Sequence, residues 1–115
     1  VAGPIANNGL TAPAAPAASL REIAPGRFAL SGWLGFATAR AVHGEGRRVI
    51  LAATTDLEFD CHGLTHTDSA GVAVLIDWLA AAKRRARILH YVGISDSVRA
   101  IARISEVDDL LESGV

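Results

Sequence analysis

The stretch Phe59-Asp60-Cys61-His62-Gly63-Leu64-Thr65-His66-Thr67-Asp68-Ser69-Ala70-Gly71-Val72-Ala73-Val74-Leu75 decides how this chain is read. At its start, Leu57-Glu58-Phe59-Asp60-Cys61 alternates apolar and polar side chains, as a half-buried strand should. A tight loop through Thr67 is expected next. From Ser69 to about Lys83 the apolar residues Val72, Leu75, Ile76 and Leu79 fall at i, i+3, i+4 and i+7, the core-facing stripe of a helix. Asp68-Ser69-Ala70-Gly71 occupies the joint. Asp or Ser at a helix start accepts a backbone N–H bond worth about 1 kcal/mol, so capping alone would explain either residue. Ala70 and Gly71 add something else: they leave the first turn bare, and a kinase or partner protein could reach the Ser69 hydroxyl. A phosphate there would gain from the helix dipole yet add about two negative charges to an apolar surface. The joint therefore reads as a regulatory surface more than a catalytic one.

The same helix is apolar nearly all round. Opposite its core stripe lie Val74, Trp78 and Ala81, and between Ala70 and Ala82 the only charged residue is Asp77. Such a helix is covered on both sides or meets a partner. A domain this small is expected to leave the second flank open, so Val74 and Trp78 are expected to face another protein, because aromatic anchors dominate interface energetics. The bland alternative is an indole lying over neighbouring side chains.

Outward from this centre, Leu20-Arg21-Glu22-Ile23 and Arg27-Phe28-Ala29-Leu30 flank Pro25-Gly26, a hairpin pattern. Residues 36–53 carry Ala39, Val42, Val49, Ile50 and Ala53 at helical spacing, although Gly44 and Gly46 each disfavour a helix by about 1 kcal/mol. Ile88-Leu89-His90-Tyr91-Val92 reads as a strand, and Ser95-Asp96-Ser97 as the cap of a short helix with Val98, Ile101 and Ala102 inward. Residues 107–111 are expected to form a last turn or short helix. Residues 1–18, rich in alanine, proline, glycine and asparagine, read as a flexible leader or vector-derived segment, leaving 19–115 as one domain. After the opening hairpin, strands and helices alternate, so the fold class is α/β: a small mixed sheet of about four to five strands with helices packed against it.

Composition narrows the function classes. The chain has 115 residues, enough for a single core. Eleven basic against twelve acidic residues argue against nucleic acid as the main partner. One cysteine cannot form an internal disulfide, which suits a reducing compartment. No apolar run approaches the roughly 20 residues that span a bilayer, so a soluble protein is expected.

Asp60, His62, His66, Asp68 and Ser69 include the residue types of a hydrolase triad. Triads collect their members from distant segments, and the nucleophile elbow Gly-x-Ser-x-Gly is absent, since the chain reads Thr67-Asp68-Ser69-Ala70-Gly71. Cys61, His62 and His66, with His43 or His90, could in principle share a metal. Cys61 and His62 are adjacent on a strand, however, and should point to opposite faces. No Gly-rich phosphate loop is present. Neither enzyme activity, metal nor cofactor is expected. Lys83-Arg84-Arg85-Ala86-Arg87 is the one dense basic run, and a solvated helix C-terminus is its default explanation.

The strand, the joint Asp68-Ser69-Ala70-Gly71 and the apolar helix together resemble the signature of STAS domains, the sulfate-transporter and anti-sigma-antagonist fold. Gly26-Arg27-Phe28-Ala29-Leu30-Ser31-Gly32 and the stretch from Val92-Gly93-Ile94 to Ile104 add to the likeness. Two branches compete. Ile76-Asp77-Trp78-Leu79-Ala80-Ala81-Ala82-Lys83 and Val98-Arg99-Ala100-Ile101-Ala102-Arg103-Ile104 look more like the MlaB-like subunits of Mla phospholipid-transport complexes. Ala70 also stands where the antagonists' Asp-Ser-Ser-Gly carries a second serine. The transport resemblance implies a non-enzymatic subunit that binds the ABC-type ATPase on the cytoplasmic side, reaching the inner membrane only through that complex. Its contact surface would be Thr67, Asp68, Ser69, Ala70, Val74 and Trp78, with Lys83, Arg84 and Arg85 at the rim. The antagonist resemblance implies a partner kinase that phosphorylates Ser69.

Overall fold

The computed structural model describes residues 17–104, with side chains described through residue 100. The expected turn over 107–111 and the inward placement of Ile101 and Ala102 lie outside the described residues and side chains, as do residues 1–16 of the expected leader. The elements run β1 (Ala18–Ala24), β2 (Arg27–Leu34), α1 (Ala39–Ala52), β3 (Leu57–Thr67), α2 (Ser69–Arg84), β4 (Leu89–Val92) and α3 (Asp96–Ile104). Their sheet has the order β1-β2-β3-β4, antiparallel between β1 and β2 and parallel thereafter.

The hairpin forms where Pro25-Gly26 allows it, with Gly26 at φ +76° and Leu20 opposite Leu30. The sheet also begins earlier than the sequence suggests. Ala18 pairs with Gly32, and Trp33 N donates to Ala17 O at 2.8 Å, so the first strand takes in the last residue of the expected leader. From β2 onward each parallel connection steps one strand in the same direction. Right-handed crossovers then place α1 and α2 on one face. That face carries Leu30, Leu34, Leu57, Phe59, Cys61 and Leu89, all buried, while Glu58, Asp60 and His62 of β3 are not. Tyr91 closes the layer by donating from its hydroxyl to Leu75 O at 2.6 Å.

β3 is 11 residues long and runs to Thr67, so the expected loop after Cys61 is strand. The pairing with β2 reaches Leu34 opposite Thr67 but shifts register between Ala29 and Ser31 and again between Gly32 and Trp33. Each irregularity puts the period-two pattern out of phase, which hides the continuation from a sequence reading. α1 starts at Ala39 rather than at residue 36. The preceding turn is held by Thr38, whose hydroxyl donates to Trp33 O at 2.6 Å and accepts from Gly35 N at 3.0 Å.

The expected open flank of α2 is sealed. Trp78 is 0 % exposed, and Val74 and Ala81 are also buried. α1 lies across this flank: Trp78 Nε1 donates to His43 O at 3.1 Å, and the indole packs edge-on to Phe59 with centroids 5.5 Å apart. Gly46 makes the approach possible, because a Cβ there would overlap the indole. The two glycines that weaken α1 in sequence therefore include the one that admits Trp78. The expectation that Trp78 and Val74 face a partner is overturned, because the sheet covers one side of α2 and α1 the other.

α2 ends in a Schellman arrangement, with Arg87 N on Ala82 O at 2.9 Å and Ala86 N on Lys83 O at 3.0 Å. Ala86 takes the left-handed position at φ 58°. The expected cap of α3 is present, since Ser95 Oγ accepts from Val98 N at 3.3 Å and Val98 is buried. No described helix is long and apolar enough to cross a membrane.

Candidate interaction surface

The joint between β3 and α2 is built around Asp68. As N-cap of α2 it accepts from Gly71 N through Oδ1 at 3.1 Å. Its other oxygen, Oδ2, accepts from Phe36 N in the β2–α1 loop at 3.0 Å. These N–H groups, Phe36 first and then those of Gly71 and Ala70, hold the carboxyl below its usual range against the opposing effect of burial; the neighbouring His66 adds a smaller push in the same direction. Gly71 is buried, and its missing Cβ lets the first turn of α2 close onto Leu34 O. Its role is this close approach rather than access to Ser69.

Ser69 itself is exposed, and Ala70 is half-buried beside it. Phe36, held by Asp68, is 86 % exposed, the highest value among the large hydrophobic side chains of the described residues. Beside Phe36 a shallow groove of about 400 Å³ runs between α1 and α2, lined by Phe36, Ala39, Ala70, Ala73 and Val74 on its apolar side. Arg40, His43 and Asp77 form its polar side. His43 Nε2 meets Asp77 Oδ2 at 2.5 Å, and Arg47 Nη1 reaches the same oxygen at 3.5 Å. That pairing, His43 foremost, keeps the Asp77 carboxyl below its usual range.

The expected contact set changes accordingly. Asp68, Ser69 and Ala70 stand together at the surface. Thr67 is buried, with its Oγ1 lacking a hydrogen-bond partner among the described groups, and Val74 and Trp78 belong mainly to the interior. Lys83, Arg84 and Arg85 do not rim this surface. They sit at the far end of α2, about 21 Å from Ser69 at 1.5 Å per residue. Phe36 and Ala73 are the residues the sequence reading missed. An aromatic residue after Gly35 was a signal for Phe36, but the helical reading of residues 36–53 absorbed it.

Elsewhere, His62 pairs with Asp60 (Nδ1 to Oδ1, 2.7 Å) on the helix-free face of the sheet, and the ring of His66 lies tilted at 53° against Trp33 with centroids 4.4 Å apart. Cys61 is buried on the opposite side of β3 from His62. Among the described residues no group of three or more His, Cys, Asp or Glu side chains is placed to hold a metal.

The family model described as "Mlab, STAS domain" matches residues 21–112, most of the chain. The chain belongs to this STAS domain family. Among solved structures, this STAS domain is similar to the anti-sigma factor antagonist SpoIIAA in its unphosphorylated form. The TM-score is 0.60 at 14 % identity, covering 76 % of this chain and 82 % of that one. At that identity the likeness concerns the fold: the mixed four-stranded sheet backed by helices is the STAS fold. Comparison with curated proteins finds no match. Family membership makes the chain a STAS interaction protein, and the joint around Asp68 and Ser69 is its candidate contact surface.

Proposed function

We propose that this STAS domain docks on the nucleotide-hydrolysing subunit of an Mla-type phospholipid ABC transporter and supports its assembly or activity. Contact is made through Phe36, Asp68, Ser69, Ala70 and Ala73. The observation that carries the reading is Phe36, 86 % exposed beside an exposed hydroxyl and a small-residue groove. A phenylalanine so placed gains about 1.5–3 kcal/mol when a partner covers it, and the groove accepts a side chain in return. The Mlab description of the matching family favours the transporter over other partners. On this reading the chain has no catalytic role of its own, works on the cytoplasmic side and reaches the membrane plane through its complex.

Co-expression with the transporter's ATPase subunit tests the proposal. Wild type should co-purify with the ATPase, whereas Ser69→Arg, which places a bulky cation on the contact, should stay folded and be lost from it. Retention of Ser69→Arg at wild-type yield would show the surface to be misplaced.

Exposure of Ser69 at a helix N-terminus favours a second reading, in which a kinase phosphorylates it as in an anti-sigma factor antagonist. The phosphate would then lie next to the Asp68 carboxylate and oppose docking. Mass spectrometry of the protein isolated from its own cells distinguishes the two.

A further inference from the structure

The opposite end of the molecule carries a second surface that ATPase docking does not use. There α1 ends at Ala52, α2 at Arg84, and the β1–β2 turn lies alongside. Arg85 Nη2 donates to Leu51 O at 3.3 Å and Arg87 Nε to Ala53 O at 3.5 Å. Ile88 N donates to Asp56 Oδ1 at 3.0 Å, and Glu58 N to Gly26 O at 2.9 Å. These bonds gather three separate chain reversals into one pole.

Two properties coincide on it. Ile23, Leu51 and Ile88 are 44 %, 47 % and 47 % exposed, and they make up most of the exposed large hydrophobics among the described residues. A hollow of about 510 Å³ beside them is walled by Pro25, Phe28, Val49 and Ala52. Around the same end stand Arg48, Lys83, Arg84 and Arg85, all exposed, with Arg87 half-buried. Among the described residues the carboxylates nearby are Glu22, Asp56 and Glu58; Asp56 accepts the Ile88 amide and Glu58 is paired with Arg27. Among the described residues, no ion pair engages Arg48, Lys83 or Arg84. The chain as a whole carries a net charge of −1, so this positive end is local and not a by-product of composition.

We infer that this pole seats against an anionic phospholipid bilayer, with Ile23, Leu51 and Ile88 entering the headgroup layer and Arg48, Lys83 and Arg84 lying over lipid phosphates. Apolar side chains at the ends of β1 and α1 and just before β4, with unpaired cations at the same pole, fit a deformable anionic surface better than a rigid acidic protein face, which would need a matching relief. Peripheral binding of this kind adds an apolar and an electrostatic contribution, and each alone is weak. α2, with 16 residues, holds the Phe36 and Ser69 end about 24 Å from the bilayer, free for a protein partner.

Sedimentation of the purified chain with vesicles tests this, comparing pure phosphatidylcholine with an equal mixture of phosphatidylcholine and phosphatidylglycerol. Binding is expected only to the anionic vesicles and is expected to disappear at high salt. The double variant Lys83→Glu/Arg84→Glu should bind at least roughly tenfold more weakly, because each cation near an anionic surface contributes about fivefold. Leu51→Ser should also weaken binding. Both variants alter exposed side chains and should melt like wild type. Absence of binding to the anionic vesicles, equal binding to the two vesicle types, or wild-type binding by the charge-reversed double variant would each overturn the inference.

Discussion

Asp68 Oδ2 accepts the backbone N–H of Phe36 at 3.0 Å, and this bond joins the start of α2 to the loop that displays the exposed aromatic. One carboxylate thus caps a helix and sets the position of a side chain 32 residues away. Asp68→Ala should lower stability by about 1–2 kcal/mol, as removal of an N-cap does. The folded carboxyl titrates below its unfolded value of about 3.9, so its contribution is complete above that pH and is lost as pH falls through the folded value. Urea unfolding between pH 7 and pH 3 should therefore show a smaller acid loss in Asp68→Ala than in wild type.

Gly44 and Gly46 occupy the same helix but should respond to alanine with opposite signs. A Cβ at Gly44 meets only Arg48 Nη1 at 4.0 Å, so Gly44→Ala should stabilise by about 1 kcal/mol through helix propensity. At Gly46 the new methyl meets an indole that cannot retreat, because Phe59 backs it and His43 O holds its N–H. Overpacking of that kind costs about 1–3 kcal/mol, so Gly46→Ala should melt at a lower temperature than wild type.

Ala86 sits at φ 58° after α2, where an L side chain is strained. Ala86→Gly should raise stability by about 0.5–1 kcal/mol, once the greater freedom of glycine in the unfolded chain is set against the relieved strain. Chemical denaturation of the two proteins checks this directly.

Burial, with a smaller push from the Asp60 charge, raises the Cys61 thiol to about 12. At pH 8 the native protein should be inert to a thiol-specific reagent, and one equivalent should react once urea unfolds it. Rapid labelling without denaturant would place Cys61 outside the core.

The sequence carries the parts of this fold where pattern and packing agree. Pro25-Gly26 marks the hairpin, the Val72, Leu75 and Leu79 stripe marks α2, and Asp68 marks its start. Two kinds of feature escaped. The continuation of β3 past Cys61 is hidden because its pairing with β2 shifts register, and a shifted strand loses the alternation that betrays it. The second concerns partners distant in sequence. Nothing local to Trp78 shows that Gly46, on another helix, leaves the space the indole fills, and nothing local to Phe36 shows that Asp68 pins it outside. The apolar flank of α2 was legible as unusual, but its cover is a tertiary fact. The joint at residues 68–70 was legible as a surface for the same reason that it was legible as a cap: small polar residues at a helix start.

Calorimetric titration of the ATPase subunit with wild type and with Phe36→Ala tests the docking surface most directly. Phe36 packs little against its own chain, so the variant should melt like wild type. Loss of about 2 kcal/mol of apolar burial at the interface predicts a dissociation constant weakened roughly thirtyfold. Equal affinity for the two proteins, with both folded, would contradict the account.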